Sequence, residues 1–270
     1  GRTETTAVAE RERGEQRYTR SETKRSDRIK PEWPMPRAAA RKPAPRAAKP
    51  KEASSAGQKT RDLILDTAER LFAERGFFGV SVRDITDAAE TRLASVNYHF
   101  GTKEDLFKAV VERRFREIDA DRQERFAALE PALKRMNRRE IVEAVADIFM
   151  VPILDRVTTG EPGWAAYAQI VAHIFTLQPW ATGILASVLD PAARDFIALL
   201  ARAYPKASDH TLYCAYELMI GGMSHALGQN GRLDTLSAGK YRSTDLAAIY
   251  PTARRFVVGG MMAACEAKKD

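Results

Sequence analysis

From Lys59 onward, large apolar residues return every three or four positions, and no convincing alternation of apolar and polar residues interrupts them. That period puts side chains on one face of an α-helix, whereas a half-buried strand needs a period of two. An all-α protein is expected, with about nine helices after the N-terminal segment. In the first, Leu63, Ile64, Thr67, Ala68, Leu71 and Phe72 form one stripe, and Gly76 ends it in a left-handed conformation. Ser81 caps a short second helix with Val82, Ile85, Ala88 and Ala89 inward. A third short helix covers about 93–98. Thr102 caps a fourth, with Asp105 completing a capping box. There Leu106, Phe107, Val110, Val111, Phe115 and Ile118 form the buried face, which runs to about residue 128.

The remainder stays helical. Ile141, Val142, Val145, Ile148 and Phe149 share a stripe that Pro152 kinks or ends. A helix over 164–177 follows, then one from 181 or 191 to 204. In the next, Leu212, Tyr216, Met219, Ile220, Met223 and Leu227 lie on one side. In the last, Leu246, Ile249, Phe256, Val257, Gly260, Met261 and Ala264 do so, and Pro251 can divide it in two.

Residues 1–56 differ in kind. They hold six of the 13 prolines and few large aliphatics, too little apolar area to offset chain entropy, so a disordered basic Pro/Ala-rich tail is expected. The first methionine is Met35, and residues 1–34 can be read as translated upstream sequence outside the native product. Residues 1–59 carry 16 Lys and Arg against 8 Asp and Glu; the rest carries 27 against 28. The net charge of +7 therefore says nothing about the folded part, and a nucleic-acid argument must rest on local placement. No apolar run nears the ~18 residues of a membrane span, and no signal segment opens the chain, so a cytoplasmic location and no membrane partner are expected. Cys214 and Cys265 lack partners at metal-ligand spacing and are expected to be two buried thiols, the alternative being a disulfide between them, with no metal and no cofactor. His173, Cys214, Glu217 and His225 come with no nucleophile motif or phosphate loop, so an enzyme is not expected.

Two short helices joined by a tight turn read as helix-turn-helix. The second offers Arg92, Leu93, Ala94, Ser95 and Asn97 to a major groove, with small residues where the backbone must come close. Tyr98 and His99 at its exit can donate to phosphates, and Phe100 folds back into the core. Lys103 adds a cation in the next helix's first turn. The stretch "TRDLILDTAERLFAERGFFGVSVRDITDAAETRLASVNYHFGTKEDLF", residues 60–107, resembles the DNA-binding domain of the TetR/AcrR family of bacterial transcriptional regulators. The resemblance implies an all-helical homodimer. A DNA-binding domain at 57–104 would precede an effector-binding and dimerisation domain at 105–270. It also implies phosphate contacts from Ser81, Tyr98, His99 and Lys103, with 92–97 in the major groove. Glu90 departs from the family, which usually has Gly in that turn. A positive φ suits Gly and strains Glu, so either the turn changes shape or DNA affinity falls.

The function expected is a ligand-responsive repressor, released from a palindromic double-stranded DNA operator by a small organic effector. The alternative is a helical ligand- or protein-binding dimer with lost or weakened DNA binding. The last two long helices are the expected dimer elements, where Gly221, Gly222, Gly259 and Gly260 allow close contact either between or within subunits. Candidate effector contacts are Trp164, Tyr167, Gln169, His173, Tyr213, Tyr216 and Glu217, beside Phe175 and Trp180. His173 and Glu217 are read as a buried polar pair in need of partners.

Overall fold

A computed structural model describes residues 55–174 and 179–266. The tail expected over 1–56 lies almost wholly outside the described residues. Among the described residues are ten α-helices and no strand: α1 Ser55–Arg75, α2 Val82–Ala88, α3 Leu93–Phe100, α4 Lys103–Leu129, α5 Arg138–Thr159, α6 Trp164–Ile174, α7 Pro179–Ala203, α8 Asp209–Leu227, α9 Arg232–Leu236 and α10 Leu246–Glu266.

Local chemistry sets most boundaries. Ser81, Thr102 and Asn137 each head a helix with a complete capping box, closed by Asp84, Asp105 and Glu140. Gly76 and Gly160 end α1 and α5 at φ +67° and +73°. Two prolines fail to end their helices. α5 runs through Pro152 and α7 through Pro191, since tertiary packing on both sides outweighs one lost ladder bond. α10 likewise continues past Pro251 as one piece. The short α9 has too few residues to carry a periodic signal, so the sequence does not announce it.

The N-terminal core gathers Ile64, Leu65, Leu71, Phe72, Ile85, Val96, Leu106 and Phe107, with Phe72, Phe77 and Phe107 edge to face or stacked. Leu63 faces solvent and Leu65 takes the inward position, and Ala88 is exposed while Ala89 is buried. Ile174 of α6 and Leu185 of α7 belong to the same core, so the head is not closed off from the rest. The inner face of α10 is Leu246, Tyr250, Val257, Val258, Met261 and Cys265. Phe256, Gly260 and Ala264 lie on its outer face, contrary to the stripe read from sequence, because small and large apolar residues occur on both sides of this helix. Both thiols are free, and Cys214 is exposed rather than buried.

One buried charge cluster ties α1 to α4 and to the start of α6. The Glu69 carboxylate, 3% exposed, accepts from Arg113 Nη2 at 2.5 Å and from Arg114 Nε and Nη2 at 2.9 and 3.0 Å. Arg114 also donates to the Pro162 carbonyl and lies 5.0 Å over the Trp164 ring. Gly163 (φ +84°) passes so close that a Cβ there would overlap Arg114 Nη2. Only glycine fits that corner.

Candidate functional site

The residues proposed for DNA contact form two sets. Arg92, Leu93, Ala94, Asn97 and Tyr98 line the exposed side of α3, with Ser95 half-buried beside them. Val96, fully buried on the opposite side, pins the helix to the core. Arg92 is the N-cap residue of α3 but makes no side-chain cap bond. Tyr98 is 85% exposed, with its ring 5.0 Å edge-on from that of His99. Phe100 is half-buried against the core beneath Arg61, as its place in the motif requires.

The second set flanks α3. Ser81 Oγ accepts from the Asp84 amide and donates to Asp84 Oδ2 at 2.5 Å, so its proton points at a carboxylate and a phosphate would have to displace it. Lys103 is half-buried, with Nζ 4.1 Å from the centre of the Phe77 ring. Lost hydration pushes its ammonium below the usual lysine range, opposed by the charges of Glu104 and Asp84. A cation held over a ring face is fixed in place and lightly hydrated, which suits a phosphate contact.

Between the two helices the turn keeps the shape that glycine favours. Glu90 has φ +50°. Its N–H donates to the Asp87 carbonyl (3.3 Å) and the Thr91 N–H to the Thr86 carbonyl (2.9 Å), the paired closures of a left-handed helix end. Of the two outcomes left open by the sequence, a different turn or a strained one, the strained turn is present. An L-residue there costs roughly 1 kcal/mol, and Glu90 is exposed, two residues before Arg92.

A cavity of ≈ 180 Å³ opens between α4, α5, α6, α7 and α8. Phe115, Phe149, Ile174, Leu189 and Phe196 are among its apolar walls, and a second space of ≈ 30 Å³ lined by Tyr167 shares Phe115, Arg122, Phe149, Ile174 and Leu189 with it. Arg122 is 4% exposed and donates one bond, from Nη2 to the Phe149 carbonyl at 2.7 Å. Its guanidinium carbon lies 4.8 and 5.6 Å from the Phe149 and Phe196 ring centres. Nε is buried without a partner. Burial pushes this guanidinium below the usual arginine range, though not to neutrality.

Of the residues proposed for effector contact, Tyr216 and Glu217 line the larger cavity and Tyr167 the smaller. Burial raises the phenol pKa of both Tyr167 and Tyr216, so each stays a hydroxyl donor. Trp164 is buried elsewhere, donating Nε1–H to Glu161 at 3.0 Å between the Arg114 and Arg156 guanidiniums. Gln169, His173 and Tyr213 line neither space. His173 and Glu217 are exposed, which corrects the buried pair; a helical stripe marks direction about one axis and cannot say how far a neighbour covers it. Phe175 and the Trp180 side chain lie outside the described residues. Sequence reasoning missed Arg122, although a signal existed: it continues the phase of Val111, Phe115 and Ile118, where an apolar residue is due.

Among the described residues, no group of His, Cys, Asp and Glu could hold a metal ion, and no helix is long and apolar enough to cross a membrane.

Two family models match the chain. Residues 64–110 match the family model "Bacterial regulatory proteins, tetR family", and 147–260 match "Tetracyclin repressor-like, C-terminal domain". The biofilm operon negative transcriptional regulator IcaR of Staphylococcus epidermidis is 36% identical over 55 residues, 20% of this chain and 30% of IcaR. The transcriptional repressor ComR of Escherichia coli is 32% identical over 89 residues, 33% of this chain and 39% of ComR. The matched part is thus well under half of either regulator's length. Among solved structures, the fatty acid degradation regulator FadR of Bacillus halodurans aligns with 78% of this chain and 98% of its own, at 16% identity and a TM-score of 0.48. With a matching model at each end of the folded region and curated repressors matching the first, the chain belongs to the TetR/AcrR family of bacterial transcriptional regulators.

Proposed function

We propose that the protein is a cytoplasmic, ligand-responsive transcriptional repressor. Residues 57–104 bind DNA, and residues 105–270 bind an effector and pair the subunits. A homodimer holds two α3 helices one turn of B-form DNA apart, about 34–36 Å, on a palindromic operator. A small organic effector in the α4–α8 cavity favours another spacing and releases the DNA. The observation that carries this reading is the shared wall. Ile174 and Leu185 line the cavity and also belong to the core that holds α3 through Val96. A ligand that displaces either residue therefore shifts the packing under the DNA-contacting helix.

The outer faces of α8 and α10 support pairing of subunits. Leu218 and Phe256 are 73% and 77% exposed, and Gly221, Gly259 and Gly260 face open space. Gly222 differs, since a Cβ there would meet Val257 Cγ1 at 3.1 Å within the subunit. A large apolar, small-residue face of this kind suits an isologous four-helix contact.

The second reading, a ligand-binding dimer with weakened DNA binding, is favoured by Glu90 alone, an exposed acidic residue in a strained turn two residues before Arg92. Selection of bound sites from random duplexes at several salt concentrations separates the two. The repressor should enrich a palindrome and lose affinity steeply with salt. Equal grip on scrambled duplexes, or a strictly monomeric protein, would sink the repressor reading.

A further inference from the structure

The cavity holds a cation with no counter-ion in contact. Among the described residues Arg122 forms no salt bridge. Asp119 and Asp121 act on it only through space, and Asp121 is engaged instead by Arg125 at 2.6 Å and Arg156 at 3.1 Å. One carbonyl and two ring faces meet the Arg122 guanidinium, and its Nε is left over. A guanidinium presents five donors in a planar fork that matches a carboxylate. Removing that charge from water is costly unless a partner is supplied. Asp119, three residues earlier on α4, also keeps a buried Oδ1 without a hydrogen-bond partner, yet no salt bridge joins it to the fork, so a carboxylate entering the cavity is the group that can meet Arg122 directly.

Resting on the effector reading above, we infer that the cavity takes a small organic monocarboxylate, with its carboxylate on Arg122 and its apolar body against Phe115, Phe149 and Phe196. Size fits a single ring or a short chain: an apolar cavity of about 150 Å³ accepts benzene, and this one measures ≈ 180 Å³. The phenols of Tyr216, on this cavity, and Tyr167, on the smaller space that shares Arg122, can donate to the carboxylate's remaining lone pairs. Asp190 and Glu217, both exposed, are the other charged groups lining the cavity. Their charge selects against a second carboxylate at the solvent side, hence a monoacid.

Calorimetric titration of the full chain without DNA, with benzoate, phenylacetate, hexanoate and octanoate and the matching neutral amides, tests the inference. At least one acid should bind roughly tenfold or more tightly than its amide, the span of a charge-assisted bond. Arg122→Met should melt no lower than the wild type, since an apolar side chain replaces an unpaired buried charge, and should lose the preference for acid. No acid binding at millimolar concentration, equal binding of acid and amide, or a preference that survives Arg122→Met would each overturn it. Should the variant fail to fold, the acid–amide comparison on the wild type still decides. A gel shift with the tightest acid then separates the two ideas: Arg122-dependent binding that leaves DNA bound upholds this site and breaks the effector reading.

Discussion

Two cations on α4, Lys103 and Arg122, are held on opposite terms. Lys103, in its first turn, lies half-buried over Phe77 with its ammonium still reachable from solvent. Arg122, about 28 Å further along at 1.5 Å per residue, is sealed among Phe149 and Phe196. A partly hydrated cation attracts any phosphate and is screened by salt. A sealed one answers only to a group that enters its cavity and matches its geometry. On the proposed reading, one helix carries an unselective contact at Lys103 and a selective one at Arg122. The Glu69–Arg113–Arg114 cluster lies between them and locks the helix to α1.

That lock should give the largest response to a single change. Glu69→Ala leaves Arg114 without a carboxylate and Arg113 with only Asp66, at 2.6 Å, and should lower stability by about 3 kcal/mol. Urea unfolding measures it; a shift within error of zero would mean that the cluster does not couple the two positions. At the head, Arg92→Ala should change which duplex is preferred, by about 1–3 kcal/mol at one base pair. Lys103→Ala should weaken all duplexes alike and lower the salt slope by about 1 per subunit. If the two variants behave alike, the division between reading and gripping residues fails.

How much of this could be read from the sequence follows from the distance over which each feature is decided. Ser81 with Asp84 and Thr102 with Asp105 close within three residues, so both caps and the α2–α3–α4 order are plain from the letters. The strain at Glu90 is also local, a non-glycine residue in a turn that wants φ above zero. The cavity is not local. Arg122 meets Phe149 and Phe196 from other helices, and the choice among Trp164, Tyr167 and Tyr213 depends on which neighbour covers each ring. Aromatic residues on a stripe announce burial but not whether a space remains beside them. Periodicity confuses the outer and inner faces of α10 for the same reason, since Phe256 is apolar and yet 77% exposed.

The strained turn offers a smaller and cleaner test of the head. Glu90→Gly removes the penalty of an L-residue at φ +50° and should raise stability by about 1 kcal/mol. It also removes a negative charge two residues before Arg92, so operator affinity should rise and the rise should shrink with added salt. Glu90→Gln separates the causes: it keeps the strain and removes the charge. Gain in both variants points to charge, and gain in Gly alone points to backbone. Equal or weaker DNA binding by the Gly variant in a gel-shift titration would count against either role.

The smallest expected effect concerns acid. Hydrogen bonds from Ser81 and Thr102 hold the Asp84 and Asp105 carboxyls below the ordinary aspartate range. A carboxyl with a lowered pKa in the folded state stabilises that state above its unfolded value, near 3.8, and this contribution disappears as pH falls through the folded value. Both carboxyls are exposed, so solvent keeps the contribution small. Comparing wild type with an Asp84→Asn, Asp105→Asn variant isolates it from the other acids. Their melting temperatures should differ by a constant amount between about pH 7 and 5 and converge below pH ~4. A difference that stayed constant down to pH ~3 would mean that the cap charges contribute nothing, and that α2 and α4 begin where they do because of the core beneath them.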